Sequence, residues 1–182
     1  HAQRPTRKSP ALAARARRPL LLTSAAAGAV LAGTSSTGML PAHDPVVRRI
    51  TERAAHLTGY PYANVEPLQL VKYTGGQKYE PHFDYGEACD FEENAFAGHR
   101  HVTMLVYLNS VPPEHEGFTT FPKLNLSVSP IAHDAVVFND CLPNGQEDPR
   151  TLYGGNPPKD YTKIAINIWI RAQSRAKRGL LG

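Results

Sequence analysis

The tripeptide His82-Phe83-Asp84 places an imidazole and a carboxylate two residues apart. On a strand, residues at that spacing point to one side, so His82 and Asp84 can grip one metal ion while Phe83 faces away. Two histidines and one carboxylate would hold iron(II) with positions left open for a cosubstrate and oxygen. The pattern alone also fits a strand carrying half-exposed polar side chains. His99, His101, His115 and His133 are further imidazoles that such a centre could recruit. No phosphate-binding glycine loop, serine nucleophile constellation or zinc-finger spacing stands beside them.

The elements that must position these residues are mostly short strands. Asp44-Pro45 reads as an N-cap with proline at the first helical position; Val47, Ile50, Ala54 and Leu57 then recur on one face, and Gly59 closes the helix. After Pro61, strand-like runs follow at Leu68–Tyr73, Tyr79–Tyr85, His101–Asn109, Phe118–Phe121, Leu126–Val128 and Ala135–Asn139. In the last run Ile164, Ile166, Ile168 and Ile170 share one face, opposite Lys163, Ala165, Asn167, Trp169 and Arg171. The greasy face needs a cover, which the Asp44 helix can partly supply, and the polar face predicts a pocket. The expected fold is mainly β with a flanking helix, a sandwich or jelly-roll barrel.

Charge divides the chain. The 182 residues carry a formal net charge of +4; six of the 20 Lys and Arg precede Asp44, where no carboxylate occurs, leaving 14 against 16 acidic residues beyond. The expected organisation is a basic, Ala-rich extension at 1–43, one domain at 44–174 and a tail at 175–182. An Arg-rich, acid-free stretch followed by Leu20 to Leu31 resembles a transit peptide or the start of a secretory signal, and the run is too short for a transmembrane helix. The basic segment suggests contact with RNA, an anionic surface or protein subunits of a large assembly. Cys89 and Cys141 permit one disulfide without demanding it, and Asn125-Leu126-Ser127 is a formal glycosylation acceptor.

The segment Val71-Lys72-Tyr73-Thr74-Gly75-Gly76-Gln77-Lys78-Tyr79-Glu80-Pro81-His82-Phe83-Asp84-Tyr85 closely resembles the prolyl 4-hydroxylase catalytic domain of the iron(II)/2-oxoglutarate dioxygenases. Further resemblance runs in order from Thr34-Ser35-Ser36 through Gly98-His99-Arg100, Phe121-Pro122, Asp134 to Phe138, Asp148-Pro149-Arg150 and Gly154-Gly155 to Trp169-Ile170-Arg171. It implies a double-stranded β-helix of cupin type, with Fe(II), 2-oxoglutarate and possible ascorbate as cofactors. His82 and Asp84 would be metal ligands. Tyr73 and Lys163 would bind the cosubstrate, Lys163 pairing with its distal carboxylate, and Tyr79, Arg100 and Trp169 would line a channel for a proline-containing peptide. An ammonium pointing into a barrel wants an anion, although Lys163 at a strand start could also reach solvent, and Arg100 could serve a plain surface role.

The family places its second metal-binding histidine directly before the glycine pair, where this chain has Tyr153. As a third ligand, a phenol must first surrender a proton that neutral imidazole does not carry. Gly33 stands where an arginine is usual, Phe118 replaces a glutamate and Asn156 a cysteine. The family's opening strand and helix lack a counterpart ahead of Thr34, which leaves one side of the barrel for a partner to cover. Three functions follow: a catalytically impaired domain acting as a structural or interaction subunit, an active prolyl 4-hydroxylase, and a non-catalytic reader of proline-rich peptides. The basic segment favours a mitochondrial location, the family the endoplasmic reticulum.

Overall fold

A computed structural model describes residues 33–85 and 99–174. The basic extension up to residue 32, with its expected leader, RNA and assembly roles, and the tail at 175–182 lie outside the described residues. Cys141 is disulfide-bonded, and Cys89, the chain's other cysteine, lies outside them too. Among the described residues no helix is long and apolar enough to cross a membrane.

Helix α1 spans Pro45–Thr58. The Asp44 carboxylate caps it by accepting from Val46 N at 2.7 Å and Val47 N at 3.3 Å, while Gly59 ends it at φ 74°, where a side chain would be strained. Its buried face is Val47, Thr51, Ala54 and Ala55. Leu57, expected on that face, is exposed at its margin instead, because Thr51 and Ala55 turn the stripe away from it. Substituting Asp44 by alanine strips two N–H groups of their acceptor and should cost about 1 kcal/mol, readable as a lower urea midpoint with unchanged slope.

The strands among the described residues are β1 Ser36–Met39, β2 Gln69–Tyr73, β3 Tyr79–His82, β4 Arg100–Tyr107, β5 Thr119–Phe121, β6 Leu126–Val128, β7 Ala135–Asn139, β8 Tyr153–Gly155 and β9 Lys163–Arg171. They form two antiparallel sheets, of order β1-β2-β9-β4-β7 and β3-β8-β5-β6. With one flanking helix this is the expected jelly-roll, the double-stranded β-helix. The sheet begins before the boundary expected at Asp44, since β1 pairs Ser36 to Lys72 and Met39 to Gln69. β8 was also missed: three residues, two of them glycine, carry no alternation to read.

β9 organises the core. Ile166, Ile168 and Ile170 pack with Val47, Ala54, Ala55, Leu68 and Met104 beneath α1. On the reverse face Ala165 packs with Val71, Tyr73, Leu105 and Tyr107 between the sheets. The period of two therefore sends the isoleucines to the helix and Lys163, Asn167 and Trp169 into a cavity. Register sets the neighbours inside it: Tyr73 lies opposite Lys163, and Thr103 opposite Trp169.

Candidate functional site

The cavity, about 560 Å³, opens between the sheets and is lined by Tyr73, Tyr79, His82, Asp84, Arg100, Tyr153, Lys163 and Trp169, every residue expected at the site. His82 closes β3 opposite Tyr153 of β8. Asp84 lies past the strand, in a bend, while the Phe83 ring stacks on that of Tyr85 with centroids 4.8 Å apart. The expectation of one strand presenting both ligands is thus corrected: the chain bends after His82 and brings the Asp84 carboxylate to buried donors.

Those donors define the centre. Asp84 Oδ2 accepts from Tyr153 Oη at 2.9 Å, Trp169 Nε1 at 2.8 Å and Thr103 Oγ1 at 2.8 Å. His82 Nε2 stands 3.4 Å from Oδ1, and its Nδ1 donates to the backbone carbonyl of Glu80 at 2.8 Å. Burial alone would raise the Asp84 pKa, but hydrogen bonds from His82, Trp169 and Thr103 outweigh it and hold the carboxyl below its ordinary value. Tyr153 moves the other way: burial and the Asp84 charge push its phenol well above the ordinary range, so it stays protonated and donates.

The His82 ring is held between Tyr79, with centroids 4.2 Å apart, and Tyr153, at 4.6 Å. Two glycines permit this. A Cβ on Gly33 would fall within the Tyr79 ring, and one on Gly154 would stand 3.0 Å from Tyr79 O and 3.1 Å from Pro81 N. β8 therefore sits closely on the backbone of β3.

Thr103 raises a question of proton count. Its Oγ1 is 2.8 Å from Asp84 Oδ2 and 3.0 Å from Asp140 Oδ2, yet a hydroxyl has one hydrogen. Asp140 is fully buried, and burial together with the Asp84 charge pushes its pKa up to about 8. A protonated Asp140 donating to Thr103, which donates to Asp84, satisfies all three groups.

At the mouth, Arg100 bonds Glu66 through Nε at 2.9 Å and through a terminal nitrogen at 3.2 Å, and its guanidinium lies 3.8 Å from the Trp169 ring centroid. Arg171 meets the same Glu66 at 2.7 Å. In the depth of the cavity Lys163 is 1% exposed, donates to Thr119 Oγ1 at 3.1 Å and is pushed down to about 7 by burial. Tyr107 Oη donates to the same oxygen at 2.9 Å. Tyr73, pushed up to about 12 chiefly by burial, remains a neutral donor beside them.

The other imidazoles are occupied elsewhere. His99 is buried near the Tyr85 carbonyl, His101 Nδ1 meets Tyr60 Oη at 2.9 Å, His115 Nδ1 meets the Lys159 carbonyl at 2.9 Å, and His133 occupies a turn at φ 74°. Sequence reasoning missed Thr103, Thr119, Asp140 and Glu66. For Thr103 the usable signal was its place on the inward face of β4 with Leu105 and Tyr107; the other three stand in the fold with no local pattern to mark them.

The residues present do not fit the iron(II) that the resemblance implies. A facial set needs a second imidazole, and on the third side stands a protonated phenol that donates its hydrogen bond to Asp84 Oδ2. Among the described residues, three His, Cys, Asp or Glu side chains do not converge at any one point.

A family model described as the 2OG-Fe(II) oxygenase superfamily matches residues 68–171. The chain is 34% identical over 156 residues to prolyl 4-hydroxylase 5 of Arabidopsis thaliana, covering 75% of this chain and 52% of that protein. It is 35% identical over 138 residues to prolyl 4-hydroxylase subunit alpha-1 of Gallus gallus, covering 74% and 26% respectively. The collagen prolyl hydroxylase of Paramecium Bursaria Chlorella virus-1, solved as a 2OG complex, superposes with a TM-score of 0.67 at 28% identity, over 78% of this chain and 80% of that one. The chain spans about half the length of the plant relatives it matches, 57% of one and 49% of another. With more than half its residues inside the family model and the jelly-roll around them, the chain belongs to the 2OG-Fe(II) oxygenase superfamily and carries a prolyl 4-hydroxylase-like domain.

Proposed function

We propose that this domain is catalytically impaired and acts as a structural or interaction subunit of a larger assembly. One observation carries the reading: Tyr153 stands where a second imidazole would, and its protonated phenol donates to Asp84 Oδ2, so the carboxylate meets a hydrogen-bond donor there and not a second metal ligand. A buried carboxylate with three donors is a satisfied group. All three meet Oδ2, and a cation at Oδ1 would find His82 beside it but no second imidazole to complete its set.

The test is turnover of 2-oxoglutarate. The unaltered chain, supplied with iron(II), ascorbate and a series of proline-rich peptides, should form succinate no faster than a protein-free control. Succinate formed in step with peptide hydroxylation would overturn the reading.

A second reading, a non-catalytic module for proline-containing peptides, is favoured by the mouth of the cavity. There the Trp169 ring, the Arg100 guanidinium above it and the Tyr79 ring offer an aromatic wall with a cationic edge, a surface suited to an extended proline-rich segment. Quenching of Trp169, the chain's single tryptophan, by added peptide would report it.

A further inference from the structure

We propose that Asn125 is a site of N-linked glycosylation, its side-chain amide carrying one oligosaccharide at the outer edge of the small sheet. Asn125-Leu126-Ser127 is the chain's only Asn-X-Ser or Asn-X-Thr triplet. Such a triplet says nothing of access, which the fold must supply. The proposal goes beyond the reading of the metal centre and does not rest on it, since none of residues 122–128 lines the cavity.

The acceptor is presented rather than packed. Asn125 follows a single 3-10 turn at Pro122–Leu124 and takes the left-handed conformation, at φ 50° and ψ 40°; β6 begins at the next residue. Residues 122–127 are all exposed, and among the described residues neither the Asn125 amide nor the Ser127 hydroxyl is held by another group. Asparagines on other turns are tied down. Asn109 Nδ2 donates to the Thr162 carbonyl at 2.7 Å, and Asn144 bonds both the side chain and the backbone of Gln146. Ser127 stands opposite Thr120, and Leu126 opposite Phe121. Opposite residues share a face and successive ones alternate, so the serine lies on the outer side of the sheet and Leu126 on the side of the buried Phe121.

Two further observations favour a sugar there. β6 is the last strand of its sheet, and the leucines on either side of the acceptor, Leu124 and Leu126, are 48% and 46% exposed. An apolar edge invites pairing with another chain, and Leu-Ser-Val has no charge or proline to prevent it. A hydrated oligosaccharide between the two leucines would. In addition, Cys141 is disulfide-bonded, and such bonds persist in oxidising compartments of the kind in which N-linked sugars are attached. In the transfer, Asn125 Nδ2 bonds to C1 of the first sugar of a lipid-linked oligosaccharide pyrophosphate. The bond from C1 to the pyrophosphate oxygen breaks, the lipid pyrophosphate leaves with that electron pair, and Nδ2 gives up one of its two protons.

The chain immunoprecipitated from the cells that produce it should lose the mass of one oligosaccharide on digestion with peptide N-glycosidase under native conditions, and peptide mapping should place that sugar at position 125. Re-expressed in the same cells, Asn125→Gln and Ser127→Ala should both appear at the sugar-free mass, while Ser127→Thr should keep the sugar. Asn125→Gln should also scatter light several-fold more on gentle heating, with its urea midpoint unchanged, as an uncovered edge on an intact fold would; equal scattering would overturn the shielding role. A sugar-free natural chain would overturn the proposal outright. So would a glycosylated chain whose Trp169 emission is that of the unfolded protein, because the fold would then not admit the sugar. Neither result bears on the metal centre, which 2-oxoglutarate turnover decides.

Discussion

Asp84→Ala should destabilise the fold by about 3–6 kcal/mol, since three buried donors each lose their acceptor at roughly 1–3 kcal/mol apiece, with entering water easing the total. Tyr153 Oη, Trp169 Nε1 and Thr103 Oγ1 all converge on this one carboxylate, and its removal orphans them together. The sign separates two kinds of centre. Where an acidic ligand waits for a cation, replacing it relieves an uncompensated buried charge and leaves the metal-free fold as stable or more so. Urea unfolding of the metal-free protein would read the difference, and a 3 kcal/mol loss moves the midpoint on the order of 2 M at a typical slope. Asp84→Asn, which keeps one acceptor oxygen, should lie between the two. A loss below about 1 kcal/mol in the alanine variant would show that the three hydrogen bonds do not hold the centre together.

Tyr153→His should create a divalent-metal site. The substitution removes the phenolic donor from Asp84 and sets a neutral imidazole on β8, opposite His82 of β3 in the register that already pairs residues 82 and 153. Two imidazoles and a carboxylate then converge from both sides of the small sheet and the bend beside it. Cobalt(II) should bind the variant about a hundredfold more tightly than the unaltered chain, a difference of roughly 2.7 kcal/mol, with a visible ligand-field spectrum as the readout. The metal-free variant should also be less stable than the unaltered chain, having lost one donor to a buried carboxylate. Equal cobalt affinity in the two proteins would mean that the tyrosine never closed the centre.

The fold was legible where periodicity is strong. β9 alternates over its whole length, and its two faces go where the pattern sends them: isoleucines under the helix, Lys163, Asn167 and Trp169 into the cavity. α1 was legible from its cap and its closing glycine, and Leu57 was misplaced because a stripe of small residues is narrower than the spacing suggests. β1 and β8 were not legible. Each is too short and too rich in small residues for alternation, and each exists because a neighbouring strand offers it hydrogen bonds.

At the site, residue types and family spacing named eight of the side chains around the cavity, Tyr73, Tyr79, His82, Asp84, Arg100, Tyr153, Lys163 and Trp169. They did not reveal that Tyr153 would bond Asp84 rather than stand idle, since that depends on the length of a phenol across a gap fixed by Gly154. Nor could they reveal the hydroxyl of Thr103 between two carboxylates or that of Thr119 beneath the lysine. A threonine reads as an ordinary strand former until its neighbours across the barrel are known.

The tight seating of Gly154 against the backbone of Pro81 fixes the point on β8 from which the preceding side chain starts. Tyrosine and histidine codons differ by a single base. One transition at position 153 would therefore set an imidazole on β8 opposite His82.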